Sequence, residues 1–250
     1  MYSRIFPSLC SCTPYLVNHR ISHSPEMYSS AMLCGIDEAG RGAIIGPLVV
    51  AGVVFKREAI EGLLELGVKD SKALTPAKRS QLAAEITDRA VRVTTLELSP
   101  GDIDQVVTNG RRNRKLNYAE AGVMARVIDH LYPDTAYVDA CDVNEDKYSS
   151  MIFGFMKRHA KVISFHHADR TNVLVSAASI IAKVSRDQRI SRLQDIHGEF
   201  GSGYPSDRKT LRFLNKWVKK KNSIPDFARH SWSTWDSWKQ TQVIDLRSFT

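Results

Sequence analysis

The chain has 250 residues, 43% apolar and 25% charged, a composition that fits one globular domain with a full core and excludes a disordered chain. No apolar run approaches the roughly 20 residues needed to span a bilayer. The net charge of +8 suits a polyanionic partner. The four cysteines (Cys10, Cys12, Cys34, Cys141) form no CxxC pair or zinc spacing, so a reducing, cytoplasmic compartment is expected.

Residues 1–31 are rich in Ser, Tyr and Pro, carry Glu26 as their single acid, and show no sustained period. They read as a disordered tail or as an upstream start with translation beginning at Met27 or Met32. A basic, serine-rich transit peptide is the other reading. Order begins near Leu33. "LCGID" and "PLVVAGVVF" (Pro47–Phe55) read as two strands joined through a glycine-rich turn. "TPAKRSQLAAEITDRA" opens a helix, with Thr75 as N-cap and Pro76 at the first helical position. "VRVTTLEL" (Val91–Leu98) is a strand by its β-branching. "NRKLNYAEAGVMARVIDHLY" has helical spacing and stops before Pro133. "TAYVDA" is a short buried strand, "KYSSMIFGFMKRH" a helix and "AKVISFHH" another strand. A long helix follows from Val173 to Gly198 or Gly201, and a further one runs from Asp207 through Lys220 into a Trp-rich, irregular tail. Strands with intervening helices predict an α/β sheet.

Asp37, Glu38, Asp139 and Asp169 sit at strand or helix edges where a packed core would not choose an acid. Sites in α/β sheets form at the carboxyl ends of strands. Asp37 ends the first predicted strand and Asp139 the fourth, so pairing of those strands would make the two carboxylates neighbours. Clustered carboxylates repel and need a cation, and oxygen-only ligands select Mg²⁺ or Mn²⁺ over zinc. Two such ions about 4 Å apart suit phosphodiester cleavage. Adjacent strand residues point to opposite faces. Asp37 and Glu38 can therefore share a centre if the strand breaks at its end, with Gly40 and Gly42 permitting the break; otherwise they cap a turn.

"GIDEAGRG", "DSKALT" (Asp70–Thr75), "VDA", "SAASIIAKVSRD" (Ser176–Asp187) and "GSGYPSD" (Gly201–Asp207) occur in one order, and together they resemble the type 2 ribonucleases H, ribonuclease HII, closer to the archaeal branch. The resemblance runs from about Leu33 to "HSWST" (His230–Thr234). It implies a ribonuclease H-like mixed β-sheet flanked by helices, with a catalytic domain over 32–205 and a helical C-terminal extension over 206–250. It also implies an endonuclease that hydrolyses the RNA strand of RNA–DNA hybrids and incises 5′ of ribonucleotides embedded in duplex DNA. That enzyme would work by two-metal hydrolysis with Mn²⁺ or Mg²⁺, as a monomer with no membrane partner. The metal-binding and catalytic acids would be Asp37, Glu38, Asp139 and Asp169; Asp142 is left out. The sequence departs from the commoner pattern at Ala43, where proline usually follows the turn, and a looser turn is expected there.

Hybrid is told from DNA by its 2′-hydroxyls. Gly40-Arg41-Gly42 lets the backbone approach a ribose and offers a guanidinium to the adjoining phosphate; the plain alternative is a tight turn with a solvated arginine. Tyr204 resembles the family tyrosine that stacks on the sugar at the RNA–DNA junction. Lys72, Lys183 and Arg186 look like phosphate ligands, and Ser176 and Ser179 present hydroxyls at a helix start. "RRNRK" (Arg111–Lys115) and "KWVKKK" (Lys216–Lys221) are either duplex contacts or solvated faces. Trp217, Trp232, Trp235 and Trp238 read as packing, and His166 and His167 as structural, with proton transfer the less favoured role. A non-catalytic hybrid-binding protein is the alternative function, disfavoured because it needs no four acids. A P-loop phosphotransferase is excluded by the absence of GxxxxGK[ST].

Overall fold

The computed structural model describes residues 30–68, 74–109, 116–236 and 238. Its frame is a five-stranded sheet in the order β3-β2-β1-β4-β5. The strands are β1 (Met32–Ala39), β2 (Leu48–Lys56), β3 (Arg92–Leu98), β4 (Thr135–Asp139) and β5 (Lys161–Phe165). The first three form an antiparallel meander, while β4 and β5 run parallel to β1. In the parallel pairing Leu33 faces Thr135 and Ile36 faces Val138, so the same offset, continued by one residue, sets Asp37 beside Asp139.

Helices cover both faces, which is why β1 and β2 read as nearly continuous apolar runs. On one face Cys34, Ile36, Val50 and Val54 pack with Val123, Met124, Val127 and Ile128 of α4 (Leu116–Leu131) and with Tyr148 and Ile152 of α5 (Glu145–Phe155). On the other, Leu33, Ala51, Val53 and Phe55 meet Leu82 and Ile86 of α2 (Pro76–Arg89) and Ala177, Ala178 and Ile181 of α7 (Val173–His197). Three shorter helices, α1 (Ile60–Glu65), α3 (Pro100–Asn109) and α6 (Ala168–Thr171), complete the connections. Gly35 allows a close contact between layers: a Cβ there would stand 2.1 Å from the backbone of Leu174. The α7 N-terminus therefore lies directly on β1.

Capping chemistry fixes the helix starts, at Thr75 as the sequence indicates and at Asn172 as the structure adds. Thr75 accepts from Lys78 N at 3.3 Å, and Asn172 accepts from Leu174 N and Val175 N at 3.0 and 3.2 Å. Gly198, with φ of 87°, ends α7. The last helix, α8 (Arg208–Lys221), buries Thr210, Leu214 and Val218 four residues apart and turns its basic residues outward. Leu214 and Val218 join Ile44, Ile45, Ile190, Phe200, Ala228 and Trp235 in a third core. Each fully buried aliphatic side chain there contributes about 1.5–3 kcal/mol. The C-terminal extension thus shares a core with the turn after β1. All four tryptophans belong to this packing: Trp232 and Trp238 lie against the cluster, and Trp217 stands edge-on to Phe227, 5.4 Å between ring centres.

Candidate active site

β1 continues in register through Ala39, past both acids, with Asp37 opposite Ala51 and Glu38 opposite Val50. The expected strand break does not occur. Alternation instead sends Asp37 toward α7 and Glu38 toward α4. The two still interact, because β4 stops at Asp139 and leaves no neighbouring strand on that side of Glu38.

Asp37 is 4% exposed. Burial pushes its carboxyl up to about 6, against a hydrogen bond from Ser179 and the charge of Lys183, with Asp139 adding to the rise. Lys183 Nζ in turn bonds Ser179 Oγ, so Asp37, Ser179 and Lys183 form one chain of contacts across β1 and α7. Glu38 is held well above the ordinary carboxylate range by burial, then by Asp37, Glu120 and Asp139. Its Oε2 is sealed from solvent without a hydrogen-bond partner.

Asp139 accepts Ala168 N at 2.8 Å, which brings the first turn of α6, and with it the buried Asp169, against the end of β4. That turn begins at His167, whose φ of 57° is a left-handed conformation uncommon for a side-chain-bearing residue. His166 is tied elsewhere: its N donates to Glu145 Oε1 at 2.6 Å, and its ring nitrogen lies 3.3 Å from Val143 O. Ser176 is fully buried, with its hydroxyl donated to Asp169 O at 2.6 Å, so it braces the acid's loop from beneath. Lys72 and Arg111–Lys115 lie outside the described residues.

Glu120, absent from the sequence-derived set, is fully buried on α4 and raised to about 7 by burial, less the opposing effects of Arg41 and Cys141. Arg41 turns inward to it: NH1 pairs with Glu120 at 3.0 Å and NH2 donates to Asn117 Oδ1 at 2.5 Å. The guanidinium expected on a phosphate is thus committed to the protein.

Gly40 has φ of 88° and packs on the Arg186 side chain, so glycine is required there. At Gly42, which is exposed, an added Cβ would meet nothing within 4 Å. Ala43 N donates to Gly40 O at 3.2 Å, a bond that proline could not make, so alanine closes the turn where a looser one was expected. Ile44 N and Ile45 N both donate to Gly203 O, at 2.8 and 3.0 Å, which joins the Tyr204 loop to this turn. Arg186 is buried between them, donating to Ser202 O at 3.2 Å, with its guanidinium 4.6 Å from the Tyr204 ring centre. It carries the loop from below and does not stand at the surface.

Among the described residues no three His, Cys, Asp or Glu side chains are arranged, as they stand, to enclose an ion. A groove of about 570 Å³ between α2, β3 and α7 touches none of Asp37, Glu38, Asp139 and Asp169, and its Arg189 is paired with Glu97. Among the described residues no helix is long and apolar enough to cross a membrane.

A mixed sheet of this order, flanked by helices and with carboxylates where β1 and β4 end side by side, defines a ribonuclease H-like fold. Residues 34–235 match the ribonuclease HII family model, and the chain belongs to that family. It is 44% identical to ribonuclease HII of Methanoregula boonei over 81% of this chain and 92% of that one. It is 45% identical to the Thermococcus sibiricus protein over 81% and 88%. Among solved structures it resembles ribonuclease H2 of Pyrococcus horikoshii OT3, with TM-score 0.77, 39% identity and coverage of 84% and 98%. It also resembles ribonuclease HII in the PCNA complex from Archaeoglobus fulgidus, with TM-score 0.74, 40% identity and coverage of 81% and 95%. The chain is therefore an enzyme, a ribonuclease H acting on RNA–DNA hybrids, and the non-catalytic alternative is set aside.

Proposed function

We propose that the chain hydrolyses the RNA strand of hybrids and also incises duplex DNA on the 5′ side of a single embedded ribonucleotide, leaving 3′-hydroxyl and 5′-phosphate ends. Asp37, Glu38, Asp139 and Asp169 would hold two divalent ions, Mg²⁺ or Mn²⁺. The observation that carries this reading is the sealed, unpartnered Oε2 of Glu38 among carboxylates that raise one another. Arg41 and Lys183 offset only part of this negative charge, and an all-oxygen donor set fits a hard divalent ion. When bound, the ions supply the charge that offsets the negative charge developing at the phosphate.

The chain's own residues then divide the work. Ser179 and Lys183 hold Asp37 in place, and Lys183 adds a point charge beside the scissile phosphate. Among the described residues the N–H groups of Arg41 and Gly42 have no acceptor, which suits them to a ribose 2′-hydroxyl or a phosphate oxygen. The open space beside Gly42 supports close approach of a sugar, since the fold does not itself require glycine there. Tyr204, half-buried on the adjoining loop, offers its ring to that sugar. Arg41 anchors the turn through Glu120. The test is incubation with end-labelled duplex DNA carrying one ribonucleotide, with Mg²⁺, Mn²⁺ or EDTA, and mapping of the cut. A metal-dependent nick 5′ of the ribonucleotide is expected. Cleavage of long hybrid alone, with this duplex left intact, would refute the finer specificity.

A further inference from the structure

Arg229 is fully buried, yet among the described residues no carboxylate pairs with it. Its donors go to carbonyls: NH2 to Gly40 O at 2.6 Å, NH1 to Arg41 O at 2.7 Å, and Nε and NH2 to Gly46 O at 3.2 Å each. Glu120 and Asp104 reach it only as more distant charges, so burying the cation is costly, and apolar packing would serve stability at least as well. The burden shows in a guanidinium lowered to about 9 by burial and by Arg186. What the arginine gains is direction. The described peptides are all trans, and in a trans peptide the N–H points opposite the C=O of the same plane. Drawing the carbonyls of Gly40 and Arg41 inward onto one planar fork therefore turns the N–H groups of Arg41 and Gly42 outward together. Those are the two amides left without an acceptor.

We propose that Arg229, supplied by the C-terminal extension, is a positioning residue that aims the Arg41 and Gly42 amides at the substrate's 2′-hydroxyl and adjoining phosphate; this rests on the reading that the 40–42 turn contacts substrate. The arginine is itself held. Asp104 of α3 accepts His230 N and Ser231 N at 2.8 Å each and Ser231 Oγ at 2.6 Å. Trp235 Nε1 donates to Arg229 O at 3.0 Å, and the Trp232 ring lies 4.9 Å from the guanidinium. The C-terminal segment is latched to α3 on one side and to the turn on the other. Preorganised amides of this kind favour the ribose-containing junction over plain DNA, which presents no hydroxyl to them.

The experiment measures, in EDTA, the affinity of the full chain for a duplex with one ribonucleotide and for the same duplex in DNA alone. Arg229→Lys keeps the charge and replaces the fork by a single point donor. The ratio of the two affinities should fall about tenfold, the loss of one charge-assisted hydrogen-bond set, with affinity for all-DNA duplex unchanged. Asp104→Ala, which frees the latch, keeps every hydrogen bond of the guanidinium and removes only a more distant charge from it, should lower the ratio in the same direction by less, and it decides the matter if Arg229→Lys does not fold. Gly42→Ala, which clashes with nothing in the chain, serves as the reference for the turn. A wild-type ratio in Arg229→Lys and Asp104→Ala beside a lowered one in Gly42→Ala would overturn the positioning role and leave the turn's role standing. Equal losses on both duplexes in Arg229→Lys would overturn it as well. Unchanged ratios in all three variants would remove the turn itself from substrate reading.

Discussion

Gly35→Ala separates the packing that builds the site from the chemistry performed there. The new Cβ would lie 2.1 Å from Leu174 C and O and 2.5 Å from Val175 N, all backbone atoms of the α7 start. Ordinary contact begins near 3.4 Å, so α7 and β1 must separate by about 1.3 Å. Overpacking of a core costs about 1–3 kcal/mol, and with backbone on both sides of the clash the upper end applies. For a domain of this size that corresponds to a Tm lower by about 6–12 °C. Gly35 and Asp37 share a strand face, and Ser179 and Lys183 ride on the displaced helix, so the Asp37 contacts shift by the same distance. A misplacement of about 1 Å can cost about 100-fold in rate. Differential scanning calorimetry, together with kcat on a long hybrid at 25 °C, reads both effects. Gly42→Ala is the control, expected to keep the wild-type Tm. A Gly35→Ala protein with wild-type Tm and kcat would refute the close approach of β1 and α7.

Burial raises Asp37 from 3.8 to about 6 and Glu120 from 4.5 to about 7, so the folded state binds protons that the unfolded chain has released. Stability of the chelated protein should therefore fall as pH rises from about 4 to about 7. Mn²⁺ should restore Tm at pH 8; a Tm that rises across this window in EDTA would contradict the raised carboxyls. Tyr204→Ala should reduce kcat/KM on a single embedded ribonucleotide about tenfold or more, the value of one stacking contact. Its effect on a long hybrid should be smaller, and Tyr204→Phe should fall between wild type and Ala; equal losses on both substrates would make Tyr204 a packing residue. Affinity for an uncleavable hybrid should drop steeply between 50 and 200 mM salt as counterions are released. A flat profile would count against the basic surface.

Much of the frame was legible because local signals agree with the fold. Thr75-Pro76 and Gly198 mark helix ends, and the runs around Ile36 and Val50 match strands buried on both faces. Helix α3 went unread although Ser99 and Asp102 exchange reciprocal bonds at its start, Asp102 N to Ser99 Oγ and Ser99 N to Asp102 Oδ2, both at 3.1 Å. That spacing is a capping box visible in the sequence. The four proposed acids stand out in the sequence because apolar strand residues frame three of them. Glu120 sits in a helix where a glutamate normally marks the solvent side, and only the fold puts Arg41 beneath it. Arg229 lies in an irregular, Trp-rich tail, and its carbonyl partners are 188 and 189 residues away in sequence. The strand break at Asp37-Glu38 failed as an expectation for a related reason. Alternation is a property of one strand, whereas the meeting of the two carboxylates depends on where the neighbouring strand β4 ends.

The claim that Asp37, Glu38, Asp139 and Asp169 hold the ions that hydrolyse the phosphodiester is tested most directly by counting bound Mn²⁺. Calorimetric titration into the protein carrying an uncleavable hybrid, run in parallel with turnover on a cleavable one, gives stoichiometry and rate together. Two ions per chain are expected in the wild type, with fewer ions and abolished turnover in Asp37→Asn and Asp139→Asn, at a Tm no lower than that of the metal-free wild type and with hybrid affinity unchanged. Wild-type stoichiometry or near-normal turnover in either variant would contradict the assignment.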